Sequence, residues 1–372
     1  MTDMLSPTDP VFADLDARLA PWATWAEITA QPAIWAAWAE NPALAEARAF
    51  VADLAPDEVW FTGAGSSAYI GEMVVAGLEG QSGPRLRAVA TTDIVARPQA
   101  YLRGKKPLIV SFGRSGNSAE TIGTLDALDA LAPDAPRLNI TCNGESALAT
   151  RKGQGRGFTL VLPEATHDAG FAMTSSLTTM LLSALSVFDM TGAAAKIKTA
   201  ANTARDLLPR VAAHAAALGM PERIVFVGTG ALAFASRESA LKVMELTAGT
   251  IPCLWDSTLG FRHGPKSFVG KGTAIFVLTS PEAPAARYDA DLVAELRAQY
   301  PDAKVTAIGP AGDIAYPMPD GAAWAAPLAV LYAQVLGVIL SAAQGRDVDD
   351  PFKGQGTLSR VVAGVKLYPV QA

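Results

Sequence analysis

From residue 58 onward, short apolar runs end in glycine- and serine-rich turns, and each turn is followed by a stretch of helical periodicity. Val59-Trp60-Phe61 runs into Gly63-Ala64-Gly65-Ser66-Ser67, which predicts a strand passing directly into a helix. Residues 86–90 predict a second strand. Leu108-Ile109-Val110 predicts a third, ending in Gly113-Arg114-Ser115-Gly116-Asn117-Ser118, with a helix over residues 118–131. Residues 138–141 and 158–162 predict a fourth and a fifth. Short buried strands alternating with helices specify an α/β protein whose parallel sheet is covered on both faces.

The pattern then recurs. Arg223-Ile224-Val225-Phe226-Val227 runs into Gly228-Thr229-Gly230, 165 residues after Gly63-Ala64-Gly65. Residues 274–278 correspond to 108–110, and 304–308 to 138–141. We expect two copies of one α/β unit, 51–210 and 211–372, joined near residues 207–218. A helical arm, 1–50, precedes them. Within it Trp22, Trp25, Ile28, Trp35 and Trp38 recur at helical spacing, as suits an arm packed across the core. Two stretches are apolar enough to test as membrane spans, 171–190 and 322–343. The first is full of Ser and Thr; the second carries Gln334 and Pro327 among alanines, and a buried helix is the better reading of it.

Composition narrows the function. Of 372 residues 50% are hydrophobic and 18% charged, enough apolar material for a large core. The net charge of −6 argues against a nucleic-acid binder, which needs a basic face, so an anionic ligand must be held by local devices. Cys142 and Cys253 both sit in apolar, strand-like segments; two buried thiols and a reducing compartment are expected over one disulfide. The N-terminal residues lack a basic region followed by an apolar one, so a cytoplasmic location is expected. No histidine pair has ligand spacing and no Cys–His cluster occurs, so neither a metal nor a cofactor is expected.

Two turns carry anion-binding character. In Gly63-Ala64-Gly65-Ser66-Ser67 the glycines let a ligand approach the backbone, free N–H groups open the helix, and the serines add hydroxyls. Ala68 replaces the last glycine of a dinucleotide fingerprint, which disfavours a dinucleotide. The other turn, from Ser111 to Thr121, offers Arg114, Ser115, Asn117, Ser118 and Thr121 at the carboxyl end of a strand, where open α/β sheets bind ligands. A helix N-cap would account for Ser118 but not for the cluster. The second copy has lost most of these hydroxyls, so a phosphate site belongs in the first.

Glu238, Lys242 and Glu245 share one stripe of a helix expected over residues 231–248. Spacing alone favours a surface ion-pair ladder. A carboxylate beside a lysine also suits proton abstraction next to a carbonyl or imine. His263, followed by Gly264 and Pro265, would be an exposed titratable ring on a rigid turn. By itself it is more simply a solvated loop residue. His214 is expected at the surface, and His167 is a weaker site candidate.

Together these stretches resemble the sugar isomerase (SIS) domain proteins, and within them the AgaS group of bacterial galactosamine-6-phosphate deaminase/isomerases. The resemblance is carried by S-F-G-R-S-G-N-S from Ser111, T-H-D-A-G-F-A-M-T-S-S from Thr166, E-S-A-L-K-V-M-E-L-T-A-G from Glu238 and L-G-F-R-H-G-P-K from Leu259. It implies two tandem SIS domains, each a flavodoxin-like three-layer sandwich. It also implies a phosphorylated hexosamine or ketohexose substrate held by Gly65, Ser66, Ser67, Arg114, Ser115, Asn117, Ser118 and Thr174. By likeness to the isomerase half of glucosamine-6-phosphate synthase, Glu245 is the base moving a proton between C1 and C2. Lys242 supports the anionic intermediate, and His263 opens the sugar ring from a neighbouring subunit, which implies a homodimer or larger. The chain departs from that synthase at Thr2, where the synthase has a cysteine nucleophile, and at Gly113, where it has a serine. Lys353 and Lys366 sit in contexts unlike its C-terminal lysine. The resemblance implies conversion of D-galactosamine 6-phosphate to D-tagatose 6-phosphate and ammonia. Its alternatives are glucosamine 6-phosphate deamination, plain aldose–ketose isomerisation, or a sensor without turnover.

Overall fold

A computed structural model describes residues 10–189, 192–356, 358–361 and 364–371. The chain begins with three helices, α1 (Pro10–Leu19), α2 (Ala23–Trp38) and α3 (Pro42–Leu54). The first sheet and its helices follow as β1 (Glu58–Thr62), α4 (Ser66–Gly77), β2 (Arg85–Ala88), α5 (Thr91–Ala96), α6 (Pro98–Leu102), β3 (Leu108–Gly113), α7 (Ala119–Leu131), β4 (Arg137–Thr141), α8 (Ala147–Thr150) and β5 (Gly157–Val161). Helices α9 (Ser175–Phe188) and α10 (Ala193–Leu218) lead to the second sheet. It comprises β6 (Arg223–Gly228), α11 (Ala231–Leu246), β7 (Cys253–Ser257), α12 (Thr258–Phe261), β8 (Thr273–Leu278), α13 (Ala285–Gln299) and β9 (Lys304–Ile308), and α14 (Ala322–Ala343) comes last.

All strand pairs in both sheets are parallel. The orders are β2-β1-β3-β4-β5 and β7-β6-β8-β9, so the second sheet repeats the first without its fifth strand. In each, connections leave in opposite directions from the first strand of the unit. The switch points therefore lie between β1 and β3 and between β6 and β8, above the strands' carboxyl ends, where crevices form.

Alternation along the strands divides the core. Val59, Phe61, Leu108 and Val110 face a central cluster that also takes Ile224, Phe226 and Phe276 from the second sheet. Trp60 and Ile109 face an outer cluster with Leu102 and Leu128, while Val225 and Val227 face another with Phe261 and Leu292. One apolar layer thus joins the two sheets, and the arm contributes Trp25, Trp35 and Trp38 to it. The expected joint at 207–218 falls inside α10, a continuous helix buried along one side, rather than in a loose linker.

Helix α14 is long and apolar enough to cross a membrane, yet 89% of its apolar window is buried inside the protein. Its one amide explains how. Gln334 Oε1 accepts from Gln31 Nε2 at 2.8 Å, and Gln334 Nε2 donates to Thr174 O at 3.2 Å. The arm thereby satisfies a polar group that would otherwise be stranded in the core. His214, expected at the surface, is half-buried and shares a 2.7 Å hydrogen bond with Tyr332 Oη on α14.

Candidate active site

Backbone conformation fixes the two turns at the first switch point. Gly65 caps α4 at φ 56°, a left-handed value that a side chain disfavours. A Cβ at Gly63 would lie 2.6 Å from Ser67, so only glycine allows the strand to pass so close to the helix. In the other turn Gly116 sits at φ 63°, and its Cβ would lie 2.3 Å from Ser146 Oγ. Gly113 is also closely packed, with the Leu148 side chain 3.0 Å from a notional Cβ.

A cavity of about 590 Å³ opens between these turns. Gly65, Ser66, Ser67, Arg114, Ser115 and Ser118 line it from the first sheet, and Lys242 and Glu245 from α11. Residues more than 120 positions apart in sequence are thus brought to one space because α11 packs beside α4.

The Glu238–Lys242–Glu245 stripe is not the solvated ladder that spacing alone favours. Glu238 and Lys242 have no exposure, because α4 and α14 cover that face of α11. Lys242 Nζ donates to Glu245 Oε2 at 2.5 Å and to Ser66 Oγ at 3.0 Å, and lies 3.3 Å from Glu238 Oε1. Ser66 Oγ in turn donates to Glu238 Oε1 at 3.0 Å. Burial pushes the Glu238 carboxyl up to about 7; Lys242 opposes the shift and Glu245 adds to it. Burial pulls the Lys242 ammonium down, but the two carboxylates outweigh it and hold the group above its ordinary value. One cation between two acids leaves Glu245, the half-buried member, as the carboxylate that meets the cavity. The protons of Lys242 are committed to its neighbours, so its action on a ligand is through its charge and through holding Glu245.

Several expected ligand groups are used by the protein itself. The Arg114 guanidinium is buried and donates to the carbonyls of Gly170, Phe171, Ala172 and Arg360. Desolvation lowers its pKa, with Asp168 opposing. Ser118 does cap α7, accepting from Thr121 N at 3.2 Å, while still lining the cavity. Asn117 is exposed, accepts from Ala147 N at 2.8 Å, and does not line the cavity. Thr174 does not line it either. Its hydroxyl points to Asp168 and Glu27, because the Asp168 carboxylate caps the start of α9 through Thr174, Ser175 and Ser176. That capping is the physical content of the Thr166–Ser176 motif, and Met173 and Phe171 are the residues it sends to the cavity wall.

His263 is exposed, follows α12, and does not line this cavity. Lys353 is exposed and paired with Asp347, and Lys366 lies over the Tyr368 ring; neither lines the cavity. Sequence reasoning missed Thr92 after β2 and the C-terminal residues Leu358, Ser359, Arg360 and Val361, which close one side. Nothing in the composition of that tail marks it; only its path over the first sheet does. Cys142 and Cys253 are both unpaired thiols, and burial pushes each up to about 12. Among the described residues, no three His, Cys, Asp or Glu side chains are grouped to hold a metal ion.

No family model matches the chain. It is 40% identical over 333 residues to D-galactosamine-6-phosphate deaminase AgaS of Escherichia coli, a match covering 84% of this chain and 85% of that protein. The structure is similar to tagatose-6-phosphate ketose/aldose isomerase from Escherichia coli, with a TM-score of 0.85 and 35% identity over 95% of this chain and 98% of that one. It is also similar to glucosamine-6-phosphate deaminase from Thermotoga maritima, with a TM-score of 0.75 and 25% identity over 91% and 99% of the two chains.

Proposed function

This chain belongs to the AgaS family of SIS-domain sugar-phosphate enzymes, and on that premise we propose that it converts D-galactosamine 6-phosphate to D-tagatose 6-phosphate and ammonia. The observation that carries the proposal is one shared space: serine-lined turns of the first sheet and the Lys242–Glu245 pair of α11 line the same cavity in a single chain.

The chemistry follows from what that cavity can do. The phosphate docks at the switch point, against Ser67, Ser115 and Ser118 and the start of α7, whose dipole favours an anion. With the sugar open, C2 carries a hydrogen between the C1 aldehyde and the amine. Glu245 removes that proton, giving a 1,2-enolamine, and returns it to C1. The product is a C2 imine; water adds to it and ammonia leaves, so the step is hydrolytic. The Lys242 charge steadies the electron-rich intermediate and keeps Glu245 in place. Ser66 serves the buried Glu238–Lys242 cluster rather than the phosphate.

His263 is proposed to assist ring opening from a second copy of the chain, which suits its exposure outside this cavity and makes the enzyme a homodimer or larger. Residues 51–210 would then hold the sugar phosphate and 211–372 supply the acid–base groups. Two unpaired thiols and a phosphorylated substrate fit a cytoplasmic enzyme, and neither nucleic acid nor membrane is part of the scheme.

The test is to assay ammonia and ketose phosphate from both galactosamine and glucosamine 6-phosphates with wild type and Glu245→Gln. Ammonia and tagatose 6-phosphate from the galacto substrate, lost in the variant, support the proposal. Ketose phosphate formation without ammonia from unaminated aldose phosphates would make it a plain isomerase. Ligand-induced stabilisation without any product would make it a sensor.

A further inference from the structure

The second switch point has the same backbone as the first but a different content. Gly230 caps α11 at φ 59°, as Gly65 caps α4 at φ 56°. In the first sheet, the loops after β1, β2 and β3 leave Ser67, Thr92 and Ser115 on a cavity. In the second, the loops after β6, β7 and β8 close on a side chain of the protein. Thr229 Oγ1 at 3.0 Å, Thr258 Oγ1 at 2.6 Å and Ser280 N at 2.8 Å all donate to the carboxylate of Asp289. Asp289 lies on α13 and has no exposure. A built-in carboxylate therefore ties together three strand-end loops whose counterparts in the first sheet line a cavity.

One of those loops carries His263. Thr258 opens α12, five residues before the histidine. Immediately before the histidine Arg262 Nε pairs with Glu295 at 2.9 Å, and beyond it Lys266 pairs with the same carboxylate. Glu295 also lies on α13. One helix thus grips the loop on both sides of His263, and the backbone that carries this exposed ring is held in place.

We infer that Asp289 is a positioning residue: its carboxylate, through Thr258, fixes the loop that presents His263 for sugar ring opening. The inference rests on the proposed function of His263. A loop left free must be ordered at each turnover, and a displacement of about 1 Å can cost on the order of a hundredfold in rate. The loss should fall on ring opening and leave phosphate binding intact.

Asp289→Asn is the direct variant, but a buried carboxylate with three donors also supports the fold. Thr258→Val removes a single hydroxyl at nearly constant shape, and Thr258→Ser restores it. On cyclic hexosamine 6-phosphate, Thr258→Val should lower kcat roughly ten- to hundredfold with KM within about twofold, and Thr258→Ser should recover most of the loss. A 4,5-dideoxy analogue cannot close a ring, and on it Thr258→Val should turn over near the wild-type rate. Wild-type kcat for Thr258→Val, or equal losses on both substrates, overturns the inference. His263→Ala separates the two levels: if it keeps wild-type turnover, ring opening by His263 is wrong and the inference falls with it. If His263→Ala is impaired while Thr258→Val is not, only the inference fails.

Discussion

Lys242 Nζ lies 2.5 Å from Glu245 Oε2, and the two ends of that contact differ sharply in exposure. Both line the cavity, but the ammonium, packed between α11, α4 and α14, has almost no exposure, whereas the carboxylate is about a quarter exposed, at 23%. A sealed cation holding a half-open base is an arrangement in which the base cannot wander and its charge is partly neutralised before a substrate arrives.

Glu245→Gln should lower kcat/KM by ~10²–10⁴-fold, the usual contribution of a positioned acid–base group. Phosphate binding should survive, since the serine turns are untouched. Steady-state kinetics paired with calorimetric titration of inorganic phosphate checks both halves; retained turnover removes Glu245 as the base.

Replacing Lys242 by Met leaves two carboxylates facing each other without a cation, one of them fully buried. Breaking a buried pair in this way costs roughly 3–5 kcal/mol. The urea midpoint should fall accordingly, and adding Glu238→Gln should recover part of the loss. An unchanged midpoint would show that the cluster does not support the fold.

Glu238 gives stability a pH dependence. The folded chain keeps its carboxyl proton to about 7, against an ordinary value of 4.5 for the free group. Between those values the folded state binds more protons than the unfolded state, so this contribution to stability is complete below 4.5 and is lost as pH rises through 7. Glu238→Gln mimics the protonated form and lacks the slope. The wild-type Tm measured relative to the variant should drop across that window and level off above it; parallel curves count against the assignment.

Arg114→Leu strands the buried carbonyls of Gly170 and Ala172 and releases those of Phe171 and Arg360. Unpaired buried acceptors cost roughly 1–3 kcal/mol. The Arg360 contact also ties down the C-terminal tail, so limited proteolysis should cut the variant faster beyond residue 344. Arg114→Lys keeps the charge but not the fork that spans several carbonyls, and should behave similarly.

Local pattern was enough for much of the framework. Apolar runs ending in Gly63-Ala64-Gly65 and Gly228-Thr229-Gly230 specified parallel strands entering helices, because strand burial and left-handed glycine turns are properties of a few consecutive residues. The serine-rich turn after Leu108-Ile109-Val110 was legible for the same reason, since the end of a strand and the start of a helix are adjacent in sequence, and it lines the cavity. Helical spacing likewise put Glu238, Lys242 and Glu245 on one stripe.

Whether that stripe met water or protein depended on α4 and α14, whose closest residues are far away in sequence; their packing turned a ladder into a sealed cluster. The same holds for Arg114 and Thr174, whose polar groups looked available until folding brought carbonyls and carboxylates against them. Asp289 gave no signal, as an isolated acid on a helix means nothing until three loops close on it. Residue order fixes which groups share a face, but the identity of their partners is a long-range property, set by how the layers pack and by the cost of leaving any buried charge alone.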